Sequence, residues 1–216
     1  MTQSSTFSQK KALNEINTLF SKGVSFDKEQ KYEEALTCYD KILSMSFSSK
    51  DILRNKAFIL FKLERYDDSL NCFEQILSSD PSDINALSNK ITLLIKFKKY
   101  KEALSCCEKA SSISPSNVNF LNIKASILSE LKEYEEALSC YNKLIAVTPN
   151  NAELLNQKAL VLTKLYRYEK ALDCYEQALL IDPNNLNSLI HKGIIFKDTK
   201  EYEKALFCFD QILSIK

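Results

Sequence analysis

Two glycines, four prolines, one histidine and no tryptophan in 216 residues rule out several kinds of site before any pattern is sought. With only Gly23 and Gly193 available, no glycine-rich loop can cradle a phosphate. With His191 as the sole histidine, no cysteine–histidine spacing of a zinc site occurs. The 29 basic and 28 acidic side chains leave a net charge of +1, too small a field to hold nucleic acid or an anionic membrane surface. No stretch approaches the roughly 18 apolar residues of a membrane span, and the opening MTQSSTFSQKKALNEINTLF lacks a signal-peptide core. These absences lead us to expect a soluble cytoplasmic protein that is not an enzyme. It should have no cofactor or metal, and neither nucleic acid nor membrane as a partner.

What the sequence does have is a period. YEEALTCYDKIL at 32–43 returns as YEEALSCYNKLI at 134–145. The tyrosine that opens each copy recurs at Tyr32, Tyr66, Tyr100, Tyr134, Tyr168 and Tyr202, 34 residues apart each time. Starting each unit 16 residues before its tyrosine gives 16–49, 50–83, 84–117, 118–151, 152–185 and a shorter 186–216, after a leader at 1–15 that we expect to be partly disordered. Such units cannot bury an apolar face alone, so the frame predicts one array and one domain.

Within a unit, apolar positions follow two helical faces. In the second unit Leu53, Ala57 and Leu60 share one face, and Ser69, Phe73 and Ile76 share another, with the polar break LERY between them. Each unit therefore reads as helix–turn–helix, and the fold class as all-α. Small residues stand where two helices must approach: Gly23, Ala57, Ala125, Ala159 and Gly193 on first helices, with Ile91 the exception, and Ala35, Ser69, Ala103, Ala137, Ala171 and Ala205 on second helices. Pro81, Pro115, Pro149 and Pro183 stop the second helices, and the Ser, Asn or Asp that follows can cap the next helix. Six of the seven cysteines (Cys38, Cys72, Cys106, Cys140, Cys174, Cys208) lie on the same comb. Equivalent helices sit on the order of 10 Å apart, beyond the roughly 7 Å within which two cysteine Cα atoms can be bridged. The cysteines read as small buried apolar groups, and Cys107 replaces an aromatic of the repeat.

The leucine, small, large triplet, the Y-x-x-A-L-x-C-Y core and the terminal proline resemble the tetratricopeptide repeat family over about 200 residues. Departures are few. Phe47 replaces the proline in the first unit, leucine replaces the family's tryptophan throughout, and the sixth unit ends at Lys216. The resemblance implies a right-handed superhelical α-solenoid whose first helices line a concave groove, and a scaffold that binds a protein partner there.

The helical wheel locates that groove independently. Opposite the packed face lie the second, sixth, ninth and thirteenth places of each first helix. There we find Asn17, Asn55, Phe58, Lys62, Asn85, Asn89, Lys96, Asn119, Gln157, Leu160, Lys164 and Asn187. Amides both donate and accept, so they can pair with the backbone of an extended peptide whatever its side chains. This resembles the asparagine ladder of some family members. The lysines form a basic rim suited to an acidic segment. A lysine at the seventh place of every unit reads as a packed stem with its ammonium reaching water. The family's carboxylate clamp is absent, because the series that starts at Arg54 and Asn89 fails at Phe58, Asn119 and Ile123.

The expected function is thus a non-catalytic scaffold for an extended peptide or a partner helix. A structural subunit working through its repeat edges, or a recruitment module for a separate enzyme, are the alternatives. At the last helix, Leu206, Phe207 and Leu213 form an apolar edge expected to serve as an interface, with a homodimer as one outcome.

Overall fold

The computed structural model describes residues 2–45 and 49–215, with backbone alone for residues 2–9. Among the described residues there are twelve α-helices and no strand. They are α1 (Thr2–Lys28), α2 (Tyr32–Ser44), α3 (Lys50–Lys62), α4 (Tyr66–Ser79), α5 (Ile84–Lys96), α6 (Tyr100–Ile113), α7 (Val118–Glu130), α8 (Tyr134–Val147), α9 (Ala152–Lys164), α10 (Tyr168–Ile181), α11 (Leu186–Asp198) and α12 (Tyr202–Ser214). Every comb tyrosine is the first residue of a second helix.

The boundaries have local causes. Five first helices open on the residue two after the expected proline position: Ser49, Asp83, Asn117, Asn151 and Asn185 each accept a backbone N–H of the first turn. The first unit has neither feature. Where α5, α7, α9 and α11 are preceded by proline and a cap, and α3 by a cap alone, it has Leu13-Asn14-Glu15, so nothing interrupts the chain and α1 begins at Thr2. Residues 2–15, which the repeat frame sets apart as a leader, continue the first repeat helix. Phe47, the other departure in that unit, lies outside the described residues.

Each first helix ends in the same turn. Gln30, Glu64, Lys98, Lys132, Tyr166 and Lys200 all have positive φ, between 56° and 65°. The residue after each returns its N–H to a carbonyl five residues back, as from Arg65 to Leu60 at 2.8 Å and from Glu133 to Leu128 at 2.9 Å. This left-handed closure satisfies helix-end carbonyls that would otherwise lack partners.

The chain divides into two compact units, Met1–Lys99 and Tyr100–Lys216. In the first, α1 packs on α2 and α3 on α4, with α2 against α3 and α4 against α5. Its core gathers Ala35, Tyr39, Ile42, Leu53, Ala57, Leu60, Phe73 and Ile76, which are the small and large positions of the repeat. In the second, α6 to α12 stack in sequence order around Ala125, Leu128, Ala137, Tyr141, Leu144, Ala159, Leu162, Ala171 and Tyr175. Each unit is built as an α-solenoid, in which a helix buries its apolar stripe against the pair before and the pair after.

The close approaches set by small residues are tight. A Cβ built on Gly23 would meet the Tyr39 ring at 2.8 Å, and one on Gly193 the Phe209 ring at 2.8 Å. Ser69 fits its place between α3 and α4 by donating its hydroxyl to the Ala57 carbonyl at 2.8 Å, which leaves a fully buried polar group satisfied.

Candidate functional site

Because the first-helix core stripe is turned inward, the second, sixth, ninth and thirteenth places are left accessible. In the first compact unit, Asn17, Phe58, Lys62, Asn85 and Lys96 are exposed, and Asn55 and Asn89 are half-buried. Phe58 is the conspicuous one, with 55% of its surface open to water. It borders a niche of about 220 Å³ lined by Ala57, Phe58, Phe61, Phe73, Asn89, Thr92 and Leu93. Residues from α3, α4 and α5 thus join to make an apolar recess with one amide and one hydroxyl. Phe58 and Asn89 are the two sequence-predicted site residues brought together there. Among the described residues the side-chain amides of Asn55, Asn85 and Asn89 have no protein hydrogen-bond partner.

The basic rim is less free than its spacing suggests. Lys62 is paired with Asp27 at 2.6 Å and lies over the Tyr32 and Phe58 rings, 5.1 and 5.4 Å from their centroids. Lys96 donates to the Tyr66 hydroxyl and stands 3.9 Å from that ring's centroid. Both ammonium groups are held over aromatic faces, where the ring quadrupole favours them. Lys62 therefore presents a neutralised pair to a ligand, and Lys96 a fixed cation.

In the second compact unit the same places hold Asn119, Gln157, Leu160, Lys164, Asn187 and His191. Asn119, Lys164 and Asn187 are exposed, and the other three are half-buried. Gln157 is already engaged: its Oε1 accepts from the Tyr141 hydroxyl at 3.3 Å and its Nε2 donates to Glu153 at 2.8 Å. His191 stacks on Tyr175 with the rings 6.0 Å apart and 16° from parallel. Burial, helped by the Lys164 charge, pushes its pKa below the ordinary imidazole value of 6.5.

Several candidates resolve as scaffold. No disulfide joins the cysteines among the described residues. Burial raises the pKa of Cys72, Cys140, Cys174 and Cys208, and pushes that of Cys107 up to about 11, so these thiols are poor nucleophiles. Cys107 fills the aromatic place and donates its S–H to the Phe120 carbonyl. Arg54, the starting point of the clamp test, is tied to Asp51 at 2.9 Å and Asp83 at 3.2 Å. Adjacent carboxylates open three second helices, Glu33 with Glu34, Asp67 with Asp68 and Glu135 with Glu136, and of these Glu135 is held by Arg167 through two hydrogen bonds and Asp68 by Arg65. Leu206, Phe207 and Leu213 are exposed, the last at 83%. Among the described residues no helix is long and apolar enough to cross a membrane, and no group of His, Cys, Asp and Glu could hold a metal.

Sequence reading missed one buried polar cluster. Asn156, 3% exposed, donates to Asn185 at 2.9 Å and accepts from Ser188 at 2.6 Å. It links α9 to the cap of α11. Asparagine occurs so often on the solvent side of this repeat that nothing distinguished this copy.

Comparison with known proteins follows the same frame. Sequence models of the tetratricopeptide repeat match residues 16–48, 152–185 and 186–216. A model of anaphase-promoting complex, cyclosome, subunit 3 matches residues 62–144. No curated protein matches. Among solved structures, MamA 41-end from Desulfovibrio magneticus RS-1 superposes with a TM-score of 0.71 at 17% identity, over 77% of this chain and 94% of that one. YrrB, described as a repeat protein of this type with an unusual peptide-binding site, gives 0.65 at 20% identity, over 82% and 92%. At such identities the likeness is one of fold. Taken with six helix pairs on a 34-residue period, these matches show that the chain belongs to the tetratricopeptide repeat proteins.

Proposed function

We propose that the chain is a non-catalytic interaction scaffold that binds an extended peptide of a partner protein on its first helices. The observation that carries this reading is the recess beside Phe58. It offers about 220 Å³, room for one apolar side chain, and its rim includes Asn89. Asn55 and Asn85, also without internal partners, lie on the same accessible places of α3 and α5. An extended peptide placed there would bury an apolar residue against Phe58, Phe61 and Phe73. Its backbone N–H and C=O groups would pair with the amides, which discriminate little between sequences. Affinity would then come from the backbone and selectivity from the recess. The peptide-binding description of YrrB supports this reading by fold analogy alone.

The test uses peptides selected from a random display library on the purified chain. Binders should carry a recurring apolar residue. Asn55→Ala combined with Asn89→Ala should weaken them at least roughly tenfold, since a lost hydrogen bond to a buried peptide group is worth about 1–3 kcal/mol. Phe58→Ala should erase the apolar preference, with the melting temperature of both variants near that of wild type. Selected peptides indifferent to both changes would overturn the proposal.

A further inference from the structure

One joint in the array breaks a rule that the others keep. At four joints, the lysine at the seventh place of a first helix pairs with an acid sixteen residues upstream, on the preceding second helix. These pairs are Lys56 with Asp40 at 2.5 Å, Lys90 with Glu74 at 2.9 Å, Lys124 with Glu108 at 3.0 Å and Lys192 with Glu176 at 2.8 Å. At the remaining joint the lysine is retained as Lys158 but the acid is replaced by Asn142. Lys158 has no ion pair or hydrogen bond among the described residues. The same place holds a cleft of about 520 Å³, lined from α8, α9 and α10. Its walls carry Lys158, Lys170 and Arg167 against the carboxylates Glu135 and Asp173, with Ser139, Asn142 and Gln177 as neutral donors. Arg167 is already committed to Glu135. Two ammonium groups, two amides and a hydroxyl therefore remain around one carboxylate. None of these residues occupies the second, sixth, ninth or thirteenth place of a first helix, so this cleft is separate from the peptide surface proposed above.

We propose that the cleft between α8 and α10 binds a phosphate monoester, with Lys158 as its central cation. A lone ammonium half-withdrawn from water favours an anion that replaces the missing carboxylate. Several donors around it suit a group with three strong acceptor oxygens better than a carboxylate with two. The volume exceeds that of a bare phosphate, leaving room for the molecule that bears it. That molecule can be a phosphorylated side chain of a partner or a small phosphorylated compound. The chemistry recognised is the same.

Asn142→Glu supplies the test, because it installs the acid that the other joints possess. It should close the site while leaving the fold at least as stable as wild type, so any loss of binding is not unfolding. Calorimetric titration with a phosphoserine peptide and with inorganic phosphate, at matched ionic strength, should show binding to wild type. Asn142→Glu and Lys158→Gln should each weaken it at least roughly tenfold. A phosphopeptide that binds much more tightly than phosphate would assign the site to a modified partner, and equal affinities would assign it to a free phosphate compound. Two results would overturn the proposal: no binding of either probe at millimolar concentration, or a peptide with glutamate in place of phosphoserine that binds equally well.

Discussion

The residue with positive φ in each turn that ends a first helix is never glycine, although an L-residue pays roughly 1–2 kcal/mol to sit there. Glycine is more costly to order by roughly 0.5–1 kcal/mol, so the balance favours it slightly. Lys132, exposed and without a side-chain partner, is the cleanest position. Lys132→Gly should stabilise the chain by about 0.5–1 kcal/mol in urea unfolding, and a lower midpoint would mean the turn is less strained than its dihedral implies. His191 sets a second expectation. Its folded pKa lies below 6.5, so protons bind the unfolded chain more readily. Its contribution to stability is complete above pH 6.5 and declines as pH falls through 6.5 towards the folded value. His191→Gln should flatten the melting temperature between pH 7 and pH 5.5. At this scale four of the five caps were legible in the sequence because Asp83, Asn117, Asn151 and Asn185 follow a proline, whereas Ser49 follows Phe47. The left-handed turns were not, since their usual marker is glycine and the chain has none there.

Among elements, helix pairing follows from where the side chains are small. Ala137 is fully buried at the packing of α8 on α7. Ala137→Arg places excess volume and an unpaired charge there, and should lower stability by at least about 2 kcal/mol. A denaturation midpoint equal to that of wild type would show that α8 can shift at little cost. The periodic apolar pattern placed all twelve helices and both packed faces, because each unit repeats the same instruction. It set no start for α1, where Leu13 and Glu15 replace the signals that stop and restart other helices. Of the candidate site, the wheel found Phe58 and Asn89 on the accessible face, but the recess they border depends on Phe61 and Phe73 from other faces. It could not show that Lys62, Lys96 and Gln157 are held by Asp27, Tyr66 and Tyr141.

Across the whole molecule, the sixteen-residue offset between acid and lysine makes the repeats interchangeable parts. Removing residues 118–151 takes out one period and brings Glu108 into register with Lys158, reproducing the joint now made by Lys124. We expect that shortened chain, carrying Lys101→Glu to supply the Arg167 partner that Glu135 now provides, to remain helical by circular dichroism and to have lost phosphate binding, as Asn142→Glu would. Retained binding would place the recognition elsewhere in the chain. At that one joint, excising thirty-four residues puts Glu108 in the place of Asn142 and Lys101 in the place of Glu135, so gain or loss of a whole repeat can rebuild a binding site without altering any residue that remains.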